Sequence, residues 1–121
     1  MSSTFRDLRV WQEAMDLTVE IYKSTAAFPK YEIYGLAQQL RLAAVSVASN
    51  IAEGKGHRST REFLHFLFHA RGSILEFQTQ ILVATRLSYL PEEACSELLD
   101  RAEGIGRALS GLITSLDRRV A

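Results

Sequence analysis

The chain has 121 residues, 47% of them apolar and 23% charged, and its 14 basic and 14 acidic residues balance to a net charge of zero. This length fits one domain spanning residues 1–121, and this composition excludes an intrinsically disordered chain. The balanced charge excludes a domain that coats nucleic acid by bulk electrostatics, because such domains carry a clear basic excess.

Apolar residues recur at steps of three and four along the chain, and no segment alternates with a period of two, so the sequence predicts helices and no strands. The first helix is expected from about Asp7 to Ala26, and Pro29 marks the break after it. Its predicted core-facing stripe consists of Leu8, Trp11, Met15, Thr18 and Tyr22.

The second helix is predicted to start between Ile33 and Leu36 and to end near Gly54. Ser59 is a good N-cap for a third helix, because Glu62 stands at the capping-box spacing from it. The third helix is expected to reach about residue 88.

Pro91 favours a fourth helix, since proline is tolerated in a first turn, and Glu92 and Glu93 complement the positive end of that helix. Connections of a few residues force neighbouring helices to run antiparallel. The predicted fold is therefore all-α, an antiparallel up-down-up-down four-helix bundle.

The third helix carries more apolar side chains than one buried face needs. A second stripe, at steps of four and seven, consists of Leu64, Phe68, Leu75 and Leu82. An exposed apolar patch of this extent usually marks a protein interface, so these residues are the predicted interface of a homo-oligomer. The alternative is a bundle of splayed helices that buries both stripes within one chain.

The second helix is rich in alanine, serine and glycine, so a neighbouring helix can approach it closely. Asn50 falls on its predicted inward face, and a buried asparagine needs hydrogen-bond partners. We expect Ser73 or Glu76 on the third helix to supply them, and Glu53 to anchor the end of the same polar network. The network is predicted to fix helix register, with ligand binding as the alternative role.

Residues 27–90 contain seven basic and four acidic residues, whereas the two flanking segments together carry a net charge of −3. Basic side chains gather at the turn between the second and third helices and continue into the bodies of these helices. The predicted surface for RNA or DNA phosphates consists of Arg41, Lys55, Arg58, Arg61 and Arg71. The alternative is an ordinary solvated turn, with nearby glutamates neutralising these charges.

No catalytic centre is recognisable, since the chain lacks a glycine-framed nucleophilic serine, a phosphate-binding loop and a dinucleotide-binding glycine pattern. Glu62, His65 and His69 share one helix face, but a di-iron bundle needs two Glu-x-x-His pairs and the chain has one. We expect a protein that is not an enzyme and that uses no metal, cofactor or small-molecule substrate. An enzyme or metal protein built on these three residues remains the third hypothesis.

Residues 1–11 lack the basic, apolar and small-residue zones of a secretory signal. The longest uncharged apolar run, residues 42–52, is far shorter than the roughly 20 residues of a membrane span. Cys95 is the only cysteine, so no disulfide can form within the chain. The expected location is the cytoplasm.

A set of residues in order along the chain resembles a known family. The set comprises Phe5-Arg6-Asp7-Leu8, Trp11, Ala14, Phe28-Pro29, Tyr34-Gly35-Leu36, Gln39, Ser46, Asn50-Ile51-Ala52-Glu53-Gly54, Glu62-Phe63, Ala70, Gly72-Ser73 and Glu76. This pattern is similar to that of the four-helix proteins encoded in intervening sequences of bacterial 23S ribosomal RNA genes, and the likeness extends over roughly residues 5–116.

The resemblance implies a bundle that assembles into a homopentamer. It also implies kinship with the accessory protein of diversity-generating retroelements, which works with a reverse transcriptase and binds nucleic acid. The leading hypothesis is therefore an oligomeric, non-enzymatic binding or scaffold protein. The alternative is an RNA- or DNA-binding accessory protein that acts through a basic surface of the assembled oligomer.

Overall fold

The computed structural model describes residues 4–120 and contains four long helices joined by short connections. Two 3₁₀ turns, Phe5–Asp7 and Lys30–Glu32, precede the first and second of these helices. The helices are α1 Arg9–Thr25, α2 Leu36–Gly56, α3 Thr60–Arg86 and α4 Glu92–Val120. The predicted all-α fold is confirmed, with no strand in the described part of the chain.

Each helix packs against the next one along the chain, and α1 also packs against α4. The diagonal pairs, α1 with α3 and α2 with α4, make no close backbone contacts. The helices therefore form a square in chain order, which is the predicted up-down-up-down bundle. In this square the side formed by α1 and α2 lies opposite the side formed by α3 and α4.

The core-facing side of α1 differs from the predicted one. Met15 and Tyr22 are 39% and 46% exposed, and Trp11 is half-buried. The chain has two apolar stripes on α1, both with helical spacing, and the bundle buries the one with the slimmer side chains. The buried residues of α1 are Val10, Ala14, Leu17, Ile21 and Thr25.

The start of α3 follows the prediction, since the Ser59 hydroxyl accepts a hydrogen bond of 3.3 Å from the Glu62 backbone N–H. The Glu62 carboxylate pairs instead with the His57 imidazole in the α2–α3 turn. The predicted capping box is therefore half formed, because the carboxylate has a second partner within reach.

Glu32 ties the start of α2 to the connection after α3. One carboxylate oxygen accepts the Leu36 N–H at 3.0 Å, and the other accepts the Tyr89 hydroxyl at 2.8 Å. The Tyr31 hydroxyl lies 3.2 Å from that of Tyr89. The Leu36 N–H and the Tyr89 hydroxyl stabilise the carboxylate and hold the pKa of Glu32 below its ordinary value of 4.5.

Within residues 4–120 none of the helices combines the length and the apolar character that crossing a membrane requires. The thiol of Cys95, near the start of α4, is buried in the core at 6% exposure.

Candidate functional site

A polar network crosses the contact between α2 and α3. The hydroxyl oxygens of Ser46 and Ser73 lie 2.8 Å apart. Asn50 is half-buried, and its Nδ2 donates to the Ser46 carbonyl at 2.8 Å and to the Ser46 hydroxyl at 3.1 Å. Ser73 thus joins the predicted network through Ser46. The sequence signal that could have identified Ser46 is its position one turn before Asn50.

Glu53 and Glu76 lie outside this network. Both side chains are exposed, and neither has a hydrogen bond or an ion pair with a residue in the described range. Their assignment to the network is wrong because a carboxylate between two closely packed helices would lose its hydration without a cation to replace it.

Gly54 explains how closely α2 and α3 approach. A Cβ atom at this position would lie 2.8 Å from Cδ1 of Phe63 and 2.9 Å from Cβ of Phe66. These distances are shorter than van der Waals contact, so no larger residue fits without moving α3. The glycine of the Asn-Ile-Ala-Glu-Gly segment is therefore needed for packing.

Three residues of the predicted interface stripe on α3 are exposed: Phe68 at 48%, Leu75 at 59% and Leu82 at 49%. We call these three residues the α3 ridge. Leu64 is 7% exposed and belongs to the core, so its assignment to the interface is wrong. At the start of α3 the packing of the neighbouring helices covers Leu64, whereas it leaves Phe68, Leu75 and Leu82 in solvent.

A second apolar surface lies between α1 and α2. It is an open groove of about 350 Å³, which we call the α1–α2 groove. The lining residues are Trp11, Met15, Thr18, Val45, Ala48, Ser49 and Ala52. Leu75 of the α3 ridge lines a different groove, between α3 and α4. The α1–α2 groove and the α3 ridge are therefore on opposite sides of the bundle.

The five predicted nucleic-acid residues do not form one surface. Arg41 donates from Nε to the Thr25 hydroxyl at 2.9 Å, and its guanidinium lies 4.7 Å from the centre of the Tyr22 ring. Arg71 lies 5.0 Å from the ring centre of Phe68 and lines the α3–α4 groove. These two arginines make local contacts in the bodies of the helices, about three to four helical turns from the α2–α3 turn.

Lys55 and Arg58 line an open cavity of about 340 Å³ at the end of the bundle that carries the α2–α3 turn. Arg119, from the last turn of α4, lines the same cavity. Arg61 is exposed in the first turn of α3 nearby. Sequence reasoning missed Arg119 because it is about 60 residues from the turn, and only the antiparallel packing brings it there. We call this site the tip cavity.

No carboxylate lines the tip cavity. The ion pairs among the described residues are Arg9–Glu13, His57–Glu62 and Arg101–Glu97, so Lys55, Arg58 and Arg119 take part in none of them. The apolar lining of the cavity consists of Leu8, Phe63, Leu112 and Leu116. The cavity therefore combines three cationic side chains with an apolar floor.

The histidines of α3 stand close together, with the ring centres of His65 and His69 4.6 Å apart in an edge-to-face arrangement. His57 stacks on Phe66 at 5.0 Å and pairs with Glu62. Among residues 4–120, no three or more histidine, cysteine or acidic side chains are grouped so that they could hold a metal ion.

Comparison with known proteins bears on both the family and the fold. The model of a family described as 23S rRNA-intervening sequence protein matches residues 6–111. A solved structure of a protein of unknown function from the S23 ribosomal protein family of Bacteroides thetaiotaomicron superposes with a TM-score of 0.80 over 87% of this chain and 95% of that chain. The two sequences are 18% identical, so this likeness shows the fold. The search of curated proteins gives no match.

Proposed function

Since the chain belongs to the 23S rRNA-intervening sequence protein family, in agreement with the resemblance of its sequence, we propose that it is a non-enzymatic scaffold that works as a homo-oligomer. The number of subunits implied by the resemblance is five, and the proposed location is the cytoplasm. The proposal rests on one observation: the α1–α2 groove and the α3 ridge are both apolar, both exposed and on opposite sides of the bundle.

Two different surfaces on opposite sides favour a head-to-tail interface, in which the ridge of one subunit enters the groove of the next. Repetition of such a contact closes into a ring when the rotation between subunits divides a full turn. A monomer rarely leaves two large apolar patches in water, so burial of both would account for their exposure in a single chain.

The side chains of the two surfaces differ in size in a way that suits such a contact. Ridge residues stand at steps of seven on one helix face, and they project as one row. Ala48, Ser49 and Ala52 leave room in the groove for large side chains, while Trp11 and Met15 supply apolar walls. Phe68 has the largest side chain of the ridge and is expected to be the anchor of the contact.

The test uses one charged substitution on each surface. Phe68→Glu damages the ridge and Val45→Glu damages the groove, and each variant is expected to be monomeric in light scattering with helical content retained. Transfer of an added carboxylate from water into an apolar contact costs several kcal/mol, about enough to dissociate the contact. Leu87→Glu, an equally exposed apolar position beyond the end of α3, is the control and should assemble as the wild type does.

Mixing the two variants distinguishes the kinds of interface. Each variant keeps one intact surface, so a head-to-tail contact predicts that the mixture forms a one-to-one heterodimer and nothing larger. If Val45→Glu alone still assembles fully, ridges pair with ridges and the proposed contact is wrong. A wild-type monomer at micromolar concentration would refute the oligomeric scaffold altogether.

We propose nucleic-acid binding as the alternative function, carried by the tip of the bundle. Lys55, Arg58 and Arg119 converge there without an acidic neighbour in the cavity, and Arg61 is exposed beside them. A ring would repeat this cationic site at every subunit, and phosphate contacts sum over many sites. Such a sum allows a chain of zero net charge to hold a polyanion.

The test for this alternative is the double variant Arg58→Glu with Arg61→Glu, assayed with structured RNA at two salt concentrations. Wild-type affinity should fall steeply with salt, and the double variant should lose most of the affinity at low salt. The control is Lys30→Glu with Arg86→Glu, which makes the same charge change at exposed positions at the opposite end of the bundle. If wild-type protein shows no salt-sensitive binding, the alternative function fails and the scaffold function is unaffected.

A further inference from the structure

The tip cavity has a composition that charge alone does not explain, because its lining includes four buried or half-buried apolar side chains beside the cationic ones. We propose that this cavity binds one nucleotide unit, with the phosphate at Lys55, Arg58 and Arg119 and the base against the floor. This inference rests on the alternative function proposed above and makes it more specific. The nucleotide can belong to an unpaired stretch of RNA or DNA, or it can be a free mononucleotide.

The three cationic side chains of the cavity are the proposed binding site for the phosphate. They come from the end of α2, from the α2–α3 turn and from the last turn of α4, so the fold brings together charges that are separate in the chain. None of them is engaged in an ion pair among residues 4–120. Arginine forks match the geometry of phosphate oxygens. The hydroxyls of Ser59, Thr60 and Ser115 also line the cavity and can donate to an anion.

The apolar lining residues, which form the floor of the cavity, are the proposed binding site for the base. Leu8, Phe63 and Leu112 are half-buried, so each presents part of its surface to the cavity while its remainder packs in the bundle. Every base has an apolar face, and an aromatic ring such as that of Phe63 accepts any of the four. Binding at this floor is therefore expected to tolerate different sequences.

The size of the cavity sets the class of ligand. About 340 Å³ is near the lower end of the range for small-molecule sites, which suits one nucleotide. A paired base cannot turn its face to the floor without leaving the duplex. The cavity is therefore expected to prefer unpaired nucleotides over duplex.

The experiment measures fluorescence anisotropy of a labelled ten-nucleotide adenylate RNA at low salt, with AMP and ribose 5-phosphate as competitors. We expect the strand to bind and AMP to displace it at about a tenfold lower concentration than ribose 5-phosphate, since only AMP has a base to stack on the floor. Arg119→Gln should weaken the binding of the strand and of AMP about tenfold, as expected for loss of a charged hydrogen bond. Arg86→Gln, which removes the same charge from an exposed position outside the cavity, should change both by less than about twofold.

Three outcomes would overturn the inference. The first two leave nucleic-acid binding in place, and the third removes it as well. Equal losses in Arg119→Gln and Arg86→Gln mean that binding is diffuse and that the cavity is not a site. Equal competition by AMP and ribose 5-phosphate means that the floor binds no base. The third outcome comes from direct calorimetric titration with AMP: if neither AMP nor the strand binds, the inference and the nucleic-acid function both fail. Binding of AMP without binding of the strand supports a site for a free nucleotide and removes only the nucleic-acid function. Arg119 is exposed, so an unchanged melting temperature of Arg119→Gln will show that the variant is folded.

Discussion

Ser46 and Ser73 join α2 to α3 through hydroxyl oxygens 2.8 Å apart, and Asn50 donates to both oxygens of Ser46. This chain of bonds is the polar link across the α2–α3 contact. Both serines and Asn50 are half-buried.

Ser73→Ala should lower the free energy of unfolding by about 1 kcal/mol, because it leaves the half-buried Ser46 hydroxyl without its partner on α3. Thr79→Ala is the matched control, since the Thr79 hydroxyl is exposed and bonds only to the Leu75 carbonyl of its own helix. Urea denaturation followed by circular dichroism measures both. Equal effects of the two substitutions would contradict a role for the link across the helices.

Gly54→Ala should destabilise the bundle by about 1–3 kcal/mol, because the new methyl group would overlap Phe63 and Phe66. Gly111→Ala in α4 should be neutral or stabilise by up to about 1 kcal/mol, because a Cβ there meets nothing within 4 Å and alanine favours a helix. Thermal denaturation of the two variants tests the contrast. A Gly54→Ala protein as stable as the wild type would mean that α3 can move aside at no cost.

Arg41→Gln should lower stability by about 1 kcal/mol and leave nucleic-acid affinity within about twofold of the wild type. Its guanidinium is engaged with Thr25 and with the Tyr22 ring inside one subunit, so the substitution removes a packing contact. Denaturation and RNA binding at low salt are measured on the same preparation. Unchanged stability with a large loss of affinity would show that Arg41 contacts nucleic acid and that its contacts with Thr25 and Tyr22 contribute little to stability.

The carboxylate of Glu32 predicts a pH dependence at the end of the bundle opposite the tip. Its pKa is lowered by the Leu36 N–H and then by the Tyr89 hydroxyl, so the folded state favours the charged form. The resulting stabilisation is complete above the pKa of the unfolded chain, and it is lost as the pH falls through the lower pKa of the folded state.

Stability should therefore fall as the pH decreases below the ordinary glutamate pKa of 4.5, and Glu32→Gln should make this fall smaller. Tyr89→Phe should reduce it in the same direction, because it removes one of the two bonds to the carboxylate. Tyr31→Phe keeps that bond and is the control. The measurement is a series of urea denaturation curves, and an unchanged pH slope in Glu32→Gln would show that Glu32 is not the group responsible.

The sequence predicted the number, order and approximate ends of the helices because caps, prolines and apolar spacing act locally. It failed where the answer depends on a neighbouring helix. The two apolar stripes of α1 have the same spacing, and only packing against α2 and α4 decides that Leu17 and Ile21 are buried while Met15 is exposed.

The candidate sites show the same limit. Lys55 and Arg58 could be grouped from the chain, since they are neighbours in one turn, but Arg119 reaches them through the antiparallel path of α4. Leu64 and Phe68 are four residues apart on α3, and packing against the neighbouring helices buries the first and leaves the second in solvent. Neither the position of Arg119 nor the difference in burial between Leu64 and Phe68 can be predicted from the residue types alone.

The burial of Cys95 gives the protein a built-in chemical reporter. It is the only thiol, and at 6% exposure it is shielded from alkylating reagents in the closed bundle. Modification therefore requires the start of α4 to separate from its neighbours, so the rate of labelling counts openings of that helix. Because the thiol is buried within its own bundle, a slower rate at higher protein concentration would show that association of subunits suppresses these openings.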